Sequence, residues 1–315
     1  MPDVNLALGT MYFGTWVGES DAFALLDRFA DAGGTLLDTA DCYAFWADPS
    51  RSGGQSESVI GRWLERQPGR RDSVVLSTKV GAEPLPDDAW PAHRQGLSAA
   101  SVAKGIEGSL RRLGTDRVDL YWAHLEDRDV ELEETAEAMA ELVAGGKVAR
   151  LGASNHPAWR VERARQVAIR RGWEPYTALQ LSYSYVQPRP LAPVDGQDHP
   201  FGMAGAGDVD YAASDPDLWL WAYSPLLRGS YARPDRPFAE AYDHPGTTRR
   251  LAVLSEVAEE IDATRNQVVL AWLTGGDPAI TPIVGVSSAE QLDEAIAGVS
   301  LQLSVEQRQR LDAAA

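Results

Sequence analysis

Short apolar segments alternate with longer segments of helical periodicity through this 315-residue chain, and this alternation constrains the fold more than any other feature. Eight segments have the length and apolar content of β-strands. They are predicted at residues 6–11, 36–38, 74–78, 118–123, 148–153, 178–181, 218–223 and 280–284. Strands that alternate with helices form parallel sheets, so the chain is predicted to be an α/β protein.

Helices are predicted between these strands from apolar spacing and from their boundary residues. The predicted ranges are 19–32, 57–66, 98–113, 131–144, 157–171, 247–262, 266–274 and 289–297. Glycines such as Gly114 end several of them, and Pro157 is expected in the first turn of another. The segment 182–216 contains several prolines, and we predict an irregular excursion over one end of the fold rather than a linker between domains.

Two architectures are compatible with eight alternating strands and helices, a closed (β/α)₈ barrel and an open doubly wound sheet. The open sheet would bind a dinucleotide through a Gly-x-Gly-x-x-Gly turn after an early strand, and the chain has no such motif. We therefore predict a (β/α)₈ TIM barrel, formed as a single domain by residues 1–315. Its long loops are expected at the C-terminal face of the barrel, where such folds place their active sites.

Three consecutive predicted strands each deliver one ionisable residue at the carboxyl end. These residues are Asp38, Lys79 and His124, and Tyr43 follows Asp38 by five positions. Taken one at a time, each has an ordinary structural explanation, such as a buried ion pair or a core histidine. Because the carboxyl ends of neighbouring parallel strands meet at one face of a barrel, we predict that the four form a catalytic cluster.

Charge and composition exclude several classes of function. The formal net charge of −17 argues against nucleic acid or an anionic membrane as a partner. No apolar run is long enough to span a membrane, and no basic segment precedes an apolar one at the start, so a cytoplasmic location is expected. Cys42 is the only cysteine, which excludes a disulfide framework and any multi-cysteine metal site, and we expect it to be a small buried residue.

The motifs around the four ionisable residues resemble those of aldo-keto reductases, and the resemblance extends over essentially the whole chain. The matching motifs are Asp38-Thr39-Ala40-Asp41-Cys42-Tyr43, Ser77-Thr78-Lys79 and Asp119-Leu120-Tyr121-Trp122-Ala123-His124. Later segments resemble the cofactor-binding segments of the family. They are Gly146-Lys147-Val148 through Gly152-Ala153-Ser154-Asn155, then Gln180, Tyr223-Ser224-Pro225-Leu226 and Pro282-Ile283-Val284-Gly285.

The resemblance implies reduction of an aldehyde or ketone by a nicotinamide cofactor, without a metal. Tyr43 corresponds to the general acid of the family. The phenol pKa, about 10 in the reference state, must fall for this role, and the charge of Lys79 favours the phenolate. Asp38 is expected to pair with Lys79, while His124 is expected to hydrogen-bond the substrate oxygen or to relay the proton.

The same resemblance assigns a cofactor site. Ser154, Asn155 and Gln180 are expected to hold the nicotinamide carboxamide, and Tyr223 is expected to stack on the nicotinamide ring. The remaining predicted cofactor residues are Thr10, Met11, Ser224, Pro225, Leu226, Arg228, Gly229, Gly285, Ser287, Gln291 and Glu294. Relatives usually place basic side chains after the eighth strand to bind the 2′-phosphate of NADP(H), whereas this chain has hydroxyls and an amide there. NADP(H) is therefore favoured with weak discrimination, and NAD(H) is the alternative.

Four aromatic residues in predicted loops are candidates for a substrate pocket. They are Trp16, Phe45, Trp46 and Trp90. A pocket for a sugar ring, a polyketide or another sizeable carbonyl compound and ordinary loop packing explain them equally well.

The chain departs from the family pattern in two places. Only residues 1–5 precede the first predicted strand, so the hairpin that plugs the barrel floor in many relatives is expected to be missing. Ala44 follows Tyr43 where glycine is frequent, and about ten residues appear inserted after it.

Two other functions remain compatible with the sequence. The same residues would catalyse oxidation of a sugar or cyclitol alcohol, because the chemistry is reversible. A nucleotide-binding regulatory subunit with little turnover is the alternative of a different class, since a fold does not determine an activity.

Overall fold

The computed structural model describes residues 4–85, 90–194 and 201–314. Eight parallel strands form a closed barrel in sequence order, and the last strand pairs with the first. The strands are β1 (Ala7–Gly9), β2 (Leu36–Asp38), β3 (Val75–Val80), β4 (Val118–Ala123), β5 (Val148–Ser154), β6 (Tyr176–Ser182), β7 (Trp219–Tyr223) and β8 (Thr281–Gly285). The predicted (β/α)₈ barrel is confirmed.

Ten α-helices lie among the described residues, and the helices that follow the strands pack around the barrel. They are α1 (Glu19–Asp31), α2 (Gln55–Glu65), α3 (Ala99–Leu113), α4 (Leu132–Ala144), α5 (Ala158–Arg171), α6 (Ala206–Ala213), α7 (Pro245–Glu260), α8 (Arg265–Thr274), α9 (Ala289–Ser300) and α10 (Val305–Ala313). Pro157 is the N-cap residue of α5, so the helix begins one residue later than predicted.

Two of these helices were not predicted from the sequence. Helix α6 lies inside the segment 182–216, so the prediction that this segment is irregular throughout was wrong; residues 195–200 of it lie outside the described residues. Ala212 is the one buried residue of α6, so its apolar periodicity is weak. Helix α10 packs against α7 and begins with a capping box between Ser304 and Gln307.

Side chains alternate between two apolar layers along each strand, as the period of a β-strand requires. Inward-facing residues fill the barrel interior, and outward-facing residues pack against the helices. The interior layer consists of Ala7, Leu36, Leu120, Trp122, Ala178, Trp221 and Ile283. The ring of Trp122 lies over Gly152, where an added Cβ would be 2.2 Å from the indole.

Trp219 lies at the amino-terminal end of β7, and its ring packs edge-on against Trp221 at 4.8 Å between centroids. The Trp219 indole donates a hydrogen bond to Thr281, and Thr281 donates one to Asn5. These contacts link the amino-terminal ends of β7 and β8 to Asn5, which precedes β1. Among the described residues, no helix is long and apolar enough to span a membrane.

Candidate active site

The structure brings the four predicted catalytic residues together at the C-terminal face of the barrel. Asp38 ends β2, Lys79 lies near the end of β3, His124 follows β4, and Tyr43 lies in the loop between β2 and α2. The Lys79 ammonium is 2.6 Å from Asp38 Oδ2 and 3.2 Å from the Tyr43 hydroxyl. The His124 and Tyr43 rings meet edge to face, with 5.8 Å between centroids.

Lys79 is fully buried, and its ammonium donates hydrogen bonds to three oxygen atoms. Besides Asp38 and Tyr43, it reaches the backbone carbonyl of Thr39 at 2.7 Å. It also lies 4.7 Å from the centroid of the Tyr43 ring. A buried ammonium is retained only where partners compensate its lost hydration, and here three oxygens do so.

Asp38 accepts hydrogen bonds from residues that the sequence analysis did not assign to the catalytic cluster. Its Oδ1 accepts from Ser77 Oγ at 2.8 Å and from Gln180 Nε2 at 3.1 Å. The indole of Trp122 donates to Ser77 Oγ at 2.7 Å. Ser77 lies two residues before Lys79, and Trp122 lies two residues before His124. Because residues two apart on a β-strand face the same side, this spacing could have predicted that Ser77 and Trp122 lie near the cluster.

His124 contacts Cys42 on one side of its ring, with 3.6 Å between Nδ1 and Sγ. Burial, together with the nearby Lys79 ammonium, lowers the pKa of His124 well below its usual value. Burial, together with Asp41 and Glu83, raises the pKa of the Cys42 thiol well above its usual value. The pair therefore consists of a neutral imidazole and a protonated thiol at neutral pH.

The residues predicted to hold the nicotinamide carboxamide also lie near this cluster. The Asn155 amide donates to the carbonyl of His124 at 2.9 Å and to Ser154 Oγ at 3.1 Å. The Tyr223 hydroxyl donates to Asn155 Oδ1 at 2.8 Å and lies 3.0 Å from the carbonyl of Gly202. Gln180 reaches the same region through its hydrogen bond to Asp38.

Left-handed backbone conformations are concentrated in the predicted cofactor segments. Asn155, Ser224, Leu227 and Arg228 have positive φ values of 58°, 54°, 46° and 59°, and Gly229 follows with 92°. Such conformations cost free energy for residues with a Cβ and gather at functional sites. Four of these five residues follow β7, which agrees with the predicted binding role of that loop.

The other predicted cofactor residues line the ends of β1, β7 and β8. Thr10 is fully buried and donates to the carbonyl of Asp38, while Met11 is half-buried. Pro225 accepts a hydrogen bond from Ser184 through its carbonyl, and Leu226 is half-buried. 

After β8, Gly285 is exposed, and Gln291 Oε1 accepts hydrogen bonds from the backbone N–H and the hydroxyl of Ser287. Glu294 accepts from Thr264 and Asn266 of α8. These contacts already engage the Glu294 carboxylate within the protein.

The four candidate pocket aromatics do not share one environment. The Trp46 ring is 42% exposed and meets the Tyr43 ring edge-on at 6.2 Å. Phe45 is buried between Trp46 and Trp90, and the Trp90 indole donates to the carbonyl of Ala82. Trp16 is exposed and stacks on Tyr12. Trp46 is thus the aromatic side chain of these four that is both exposed and beside the Tyr43 phenol.

The sequence of the chain matches that of a known protein family. A sequence model described as "Aldo/keto reductase family" matches residues 5–315. The chain is 31% identical over 310 residues to an uncharacterized oxidoreductase, YrpG, of Bacillus subtilis, covering 96% of this chain and 89% of the relative.

Two further proteins are similar to the chain over nearly its whole length. Norsolorinic acid reductase stcV of Emericella nidulans is 31% identical over 330 residues, covering 96% of this chain and 76% of the relative. The solved structure of a thermostable aldo-keto reductase in complex with the inhibitor epalrestat superposes with a TM-score of 0.73 at 28% identity. It covers 99% of this chain and 95% of that protein.

Proposed function

The chain belongs to the aldo/keto reductase family, and from this premise we propose that it reduces an aldehyde or ketone to an alcohol with a reduced nicotinamide cofactor, using Tyr43 as the proton donor. The observation that carries the proposal is the contact of the Tyr43 hydroxyl with the buried Lys79 ammonium at 3.2 Å. A cation at this position stabilises the phenolate that forms when the phenol gives up its proton.

Each catalytic residue has a separate part in this proposal. Tyr43 donates its proton to the carbonyl oxygen while the hydride arrives at the carbonyl carbon. Lys79 stabilises the resulting phenolate, and Asp38 keeps the ammonium in position through the 2.6 Å ion pair. Ser77 and Gln180 fix the orientation of the Asp38 carboxylate through its other oxygen. The nicotinamide, when bound, supplies the hydride.

His124 is proposed to donate a hydrogen bond to the substrate oxygen. Because the Cys42 thiol keeps its proton and the imidazole is neutral, the thiol can donate to Nδ1. That contact leaves the imidazole proton on Nε2, the nitrogen on the other side of the ring. His124 and Tyr43 would then bind the same substrate oxygen from two directions.

The protein offers suitable groups for a nicotinamide dinucleotide. Tyr223 supplies an aromatic face, and Ser154, Asn155 and Gln180 supply amide and hydroxyl groups that match a carboxamide. We propose that Arg228 and the backbone of Ser224–Gly229 contact the pyrophosphate, and that Thr10, Met11 and Gly285 line the same groove. NADP(H) is the proposed cofactor, with weak discrimination against NAD(H).

We propose that the substrate is a sizeable carbonyl compound, either sugar-like or a natural product. The exposed Trp46 ring beside Tyr43 supports this choice, because an aromatic side chain at a pocket mouth binds flat apolar or sugar surfaces. Two curated relatives are named for the reduction of norsolorinic acid and of versiconal hemiacetal acetate. No nucleic-acid or membrane partner is proposed, and the proposed location is the cytoplasm.

The proposal is tested with a panel of aldehydes, ketones, sugars and polyols, each assayed with reduced or oxidised NADP and NAD by nicotinamide absorbance. On the best substrate, Tyr43→Phe should lower turnover by about a hundredfold to ten-thousandfold, because it removes the proton donor. Cofactor binding should survive in the variant. Near-normal turnover of Tyr43→Phe would remove Tyr43 from the mechanism, and tight cofactor binding without turnover of any compound would indicate a regulatory nucleotide-binding protein.

A further inference from the structure

One residue of the predicted catalytic cluster and two residues beside it have the chemistry and spacing of a metal site. Asp41 and Cys42 precede Tyr43 in the loop after β2, and His124 follows β4. One carboxylate oxygen, the Cys42 sulfur and one His124 nitrogen all lie within 4.8 Å of one another. Asp41 and Cys42 are buried, and His124 is half-buried. Thiolate, imidazole and carboxylate together form a ligand set that favours Zn²⁺.

The contact between Cys42 and His124 matches the edge of a tetrahedral zinc site. Zinc–sulfur and zinc–nitrogen bonds of about 2.3 and 2.0–2.1 Å, separated by a tetrahedral angle, place sulfur and nitrogen about 3.6 Å apart. The observed distance from Cys42 Sγ to His124 Nδ1 is 3.6 Å. A zinc ion could therefore replace the thiol proton between these two atoms without separating the side chains.

The Asp41 carboxylate provides an independent indication of a cation site. Asp41 is only 5% exposed, and its Oδ1 atom has no hydrogen-bond partner among the described residues. A buried carboxylate oxygen without a partner is costly, and a cation would satisfy it. In the surroundings, Glu57 and Glu83 add negative charge, while Arg112 adds positive charge.

Lys79 is the nearby cation that opposes metal binding at this position, since it acts electrostatically on both Cys42 and His124. Asp38 compensates it through the 2.6 Å ion pair. Arg112 is the other cation near Asp41, and its guanidinium pairs with Glu57 at 2.6 Å. Each of the two nearby cations is therefore already paired with a carboxylate.

We propose that Asp41, Cys42 and His124 form an inhibitory site for Zn²⁺, with the fourth coordination position open to water or an exogenous ligand. Binding forms zinc–sulfur, zinc–nitrogen and zinc–oxygen bonds, and the protons that burial retains on the Cys42 thiol and the Asp41 carboxyl pass to solvent. No electron transfer is involved. The proposed reduction does not require this site.

The effect on activity rests on the proposed function. A dication on Nδ1 of His124 lies next to the edge-to-face contact with Tyr43, and it repels the Lys79 ammonium that supports the phenol. We expect zinc to slow carbonyl reduction by disturbing both groups. Binding itself is measured without any turnover assay, so failure of the reductase proposal would not affect it.

The binding test uses Co²⁺ alone, because cobalt replaces zinc and absorbs light. Cys42 is the only cysteine in the chain, so any cobalt–thiolate charge-transfer band must come from this residue. The purified protein, freed of metal with a chelator, should develop this band together with the intense visible bands of tetrahedral cobalt. Cys42→Ser should lose the charge-transfer band while its circular dichroism stays that of the wild type.

Variants at two carboxylates separate the proposed site from adventitious binding. Asp41→Asn should keep the charge-transfer band and weaken cobalt affinity at least tenfold, because it replaces a charged ligand with a neutral amide. Asp129→Asn removes an exposed carboxylate in the loop after β4 and should leave the affinity unchanged. In the turnover assay, the zinc concentration for half-inhibition should rise at least tenfold for Asp41→Asn, with each variant compared with its own uninhibited rate.

Three results would overturn the site. The first is a folded wild-type protein that develops no charge-transfer band with millimolar cobalt. The second is a band whose affinity does not change in Asp41→Asn, which would remove Asp41 as a ligand. The third is equal weakening in Asp41→Asn and Asp129→Asn, which would indicate diffuse attraction of cations to an acidic protein.

Discussion

Lys79 is the residue on which the proposed chemistry depends most. Its ammonium contacts Asp38, Thr39 and Tyr43, and no part of the residue is exposed. Replacing a buried ion pair by apolar residues is often neutral for stability, so the pair is weak evidence for a stabilising role. Its contact with a phenol is better explained by acid–base chemistry.

We predict that Lys79→Met slows turnover. It should also raise the apparent pKa that the Tyr43 phenol contributes to the pH–rate profile, because the cation that favours the phenolate is lost. Lys79→Arg keeps the positive charge and should raise this apparent pKa less. The measurement is the pH dependence of kcat and kcat/KM on one substrate. An unchanged rate and pH profile in Lys79→Met would return this lysine to a structural role.

Cofactor preference is also decided by single residues. After β8, Ser287 and Gln291 hydrogen-bond each other, and Ser288 caps α9 by accepting from the Gln291 N–H. No lysine or arginine lies between Gly285 and Glu294 in the sequence. A hydrogen bond to a charged group contributes about 1.5–3 kcal/mol, against about 0.5–1.5 kcal/mol for a neutral one.

We therefore predict that Ser288→Arg tightens NADPH binding while leaving NADH binding nearly unchanged, because the added charge meets only the 2′-phosphate. Ser300→Arg, at the exposed C-terminal end of the same helix, is the matched control and should affect neither cofactor. Calorimetric titration measures both affinities. Equal changes for NADPH and NADH would mean that this segment does not face the 2′ position.

At the scale of the elements, α2 packs closely against α3. Gly61 of α2 lies so close to α3 that an added Cβ would be 2.2 Å from the carbonyl oxygen of Arg112. The guanidinium of Arg112 pairs with Glu57 of α2, whose other oxygen accepts from Thr78 of β3. The two helices and β3 are therefore joined by packing and by a buried polar network.

Gly61→Ala should lower the free energy of unfolding by about 1–3 kcal/mol, because a methyl group would meet backbone rather than a movable side chain. Gly207→Ala is the control in α6, where a Cβ would have no neighbour within 4 Å. There, alanine should stabilise the helix by roughly 0.5–1 kcal/mol through helix propensity. Urea denaturation measures both variants; a neutral Gly61→Ala would show that the two helices separate easily.

At the scale of the whole molecule, His124 links global stability to pH. The folded pKa of His124 is held well below its usual value of 6.5, so the folded state does not take up a proton where the unfolded chain does. Stability contributed by the neutral histidine is fully present above pH 6.5 and is lost as the pH falls from there toward the folded pKa.

Below pH 6.5, unfolding of the wild type takes up one proton at His124, and the His124→Gln variant does not. The free energy of unfolding of the wild type should therefore fall, relative to that of the variant, by up to about 1.4 kcal/mol per pH unit. His93→Gln, at an exposed histidine, should leave the wild-type slope unchanged. Urea denaturation at several pH values, in the presence of a chelator, gives both slopes. Parallel pH profiles for wild type and His124→Gln would contradict the lowered pKa of this histidine.

Strand order and helix order could be predicted from the sequence because apolar periodicity is a local property. The eight strands lie where the pattern indicated, with shifted ends; β3, for example, continues to Val80, so Lys79 lies inside the strand. Helix α6 was missed because its contacts with the rest of the protein bury only Ala212. The four residues of the predicted catalytic cluster could be named because Asp38, Lys79 and His124 lie at or next to strand ends and Tyr43 shares a recognisable motif with Asp38.

The sequence by itself therefore determined the barrel and the identity of Asp38, Tyr43, Lys79 and His124 as a cluster, since both follow from patterns within short segments. Only the tertiary structure decided which atoms meet. Closure of the barrel brings Gln180 of β6 to Asp38 of β2, residues separated by 142 positions. It likewise places His124 against Cys42 at 3.6 Å, a contact between two loops that neither local sequence encodes, because the distance depends on the packing of neighbouring strands.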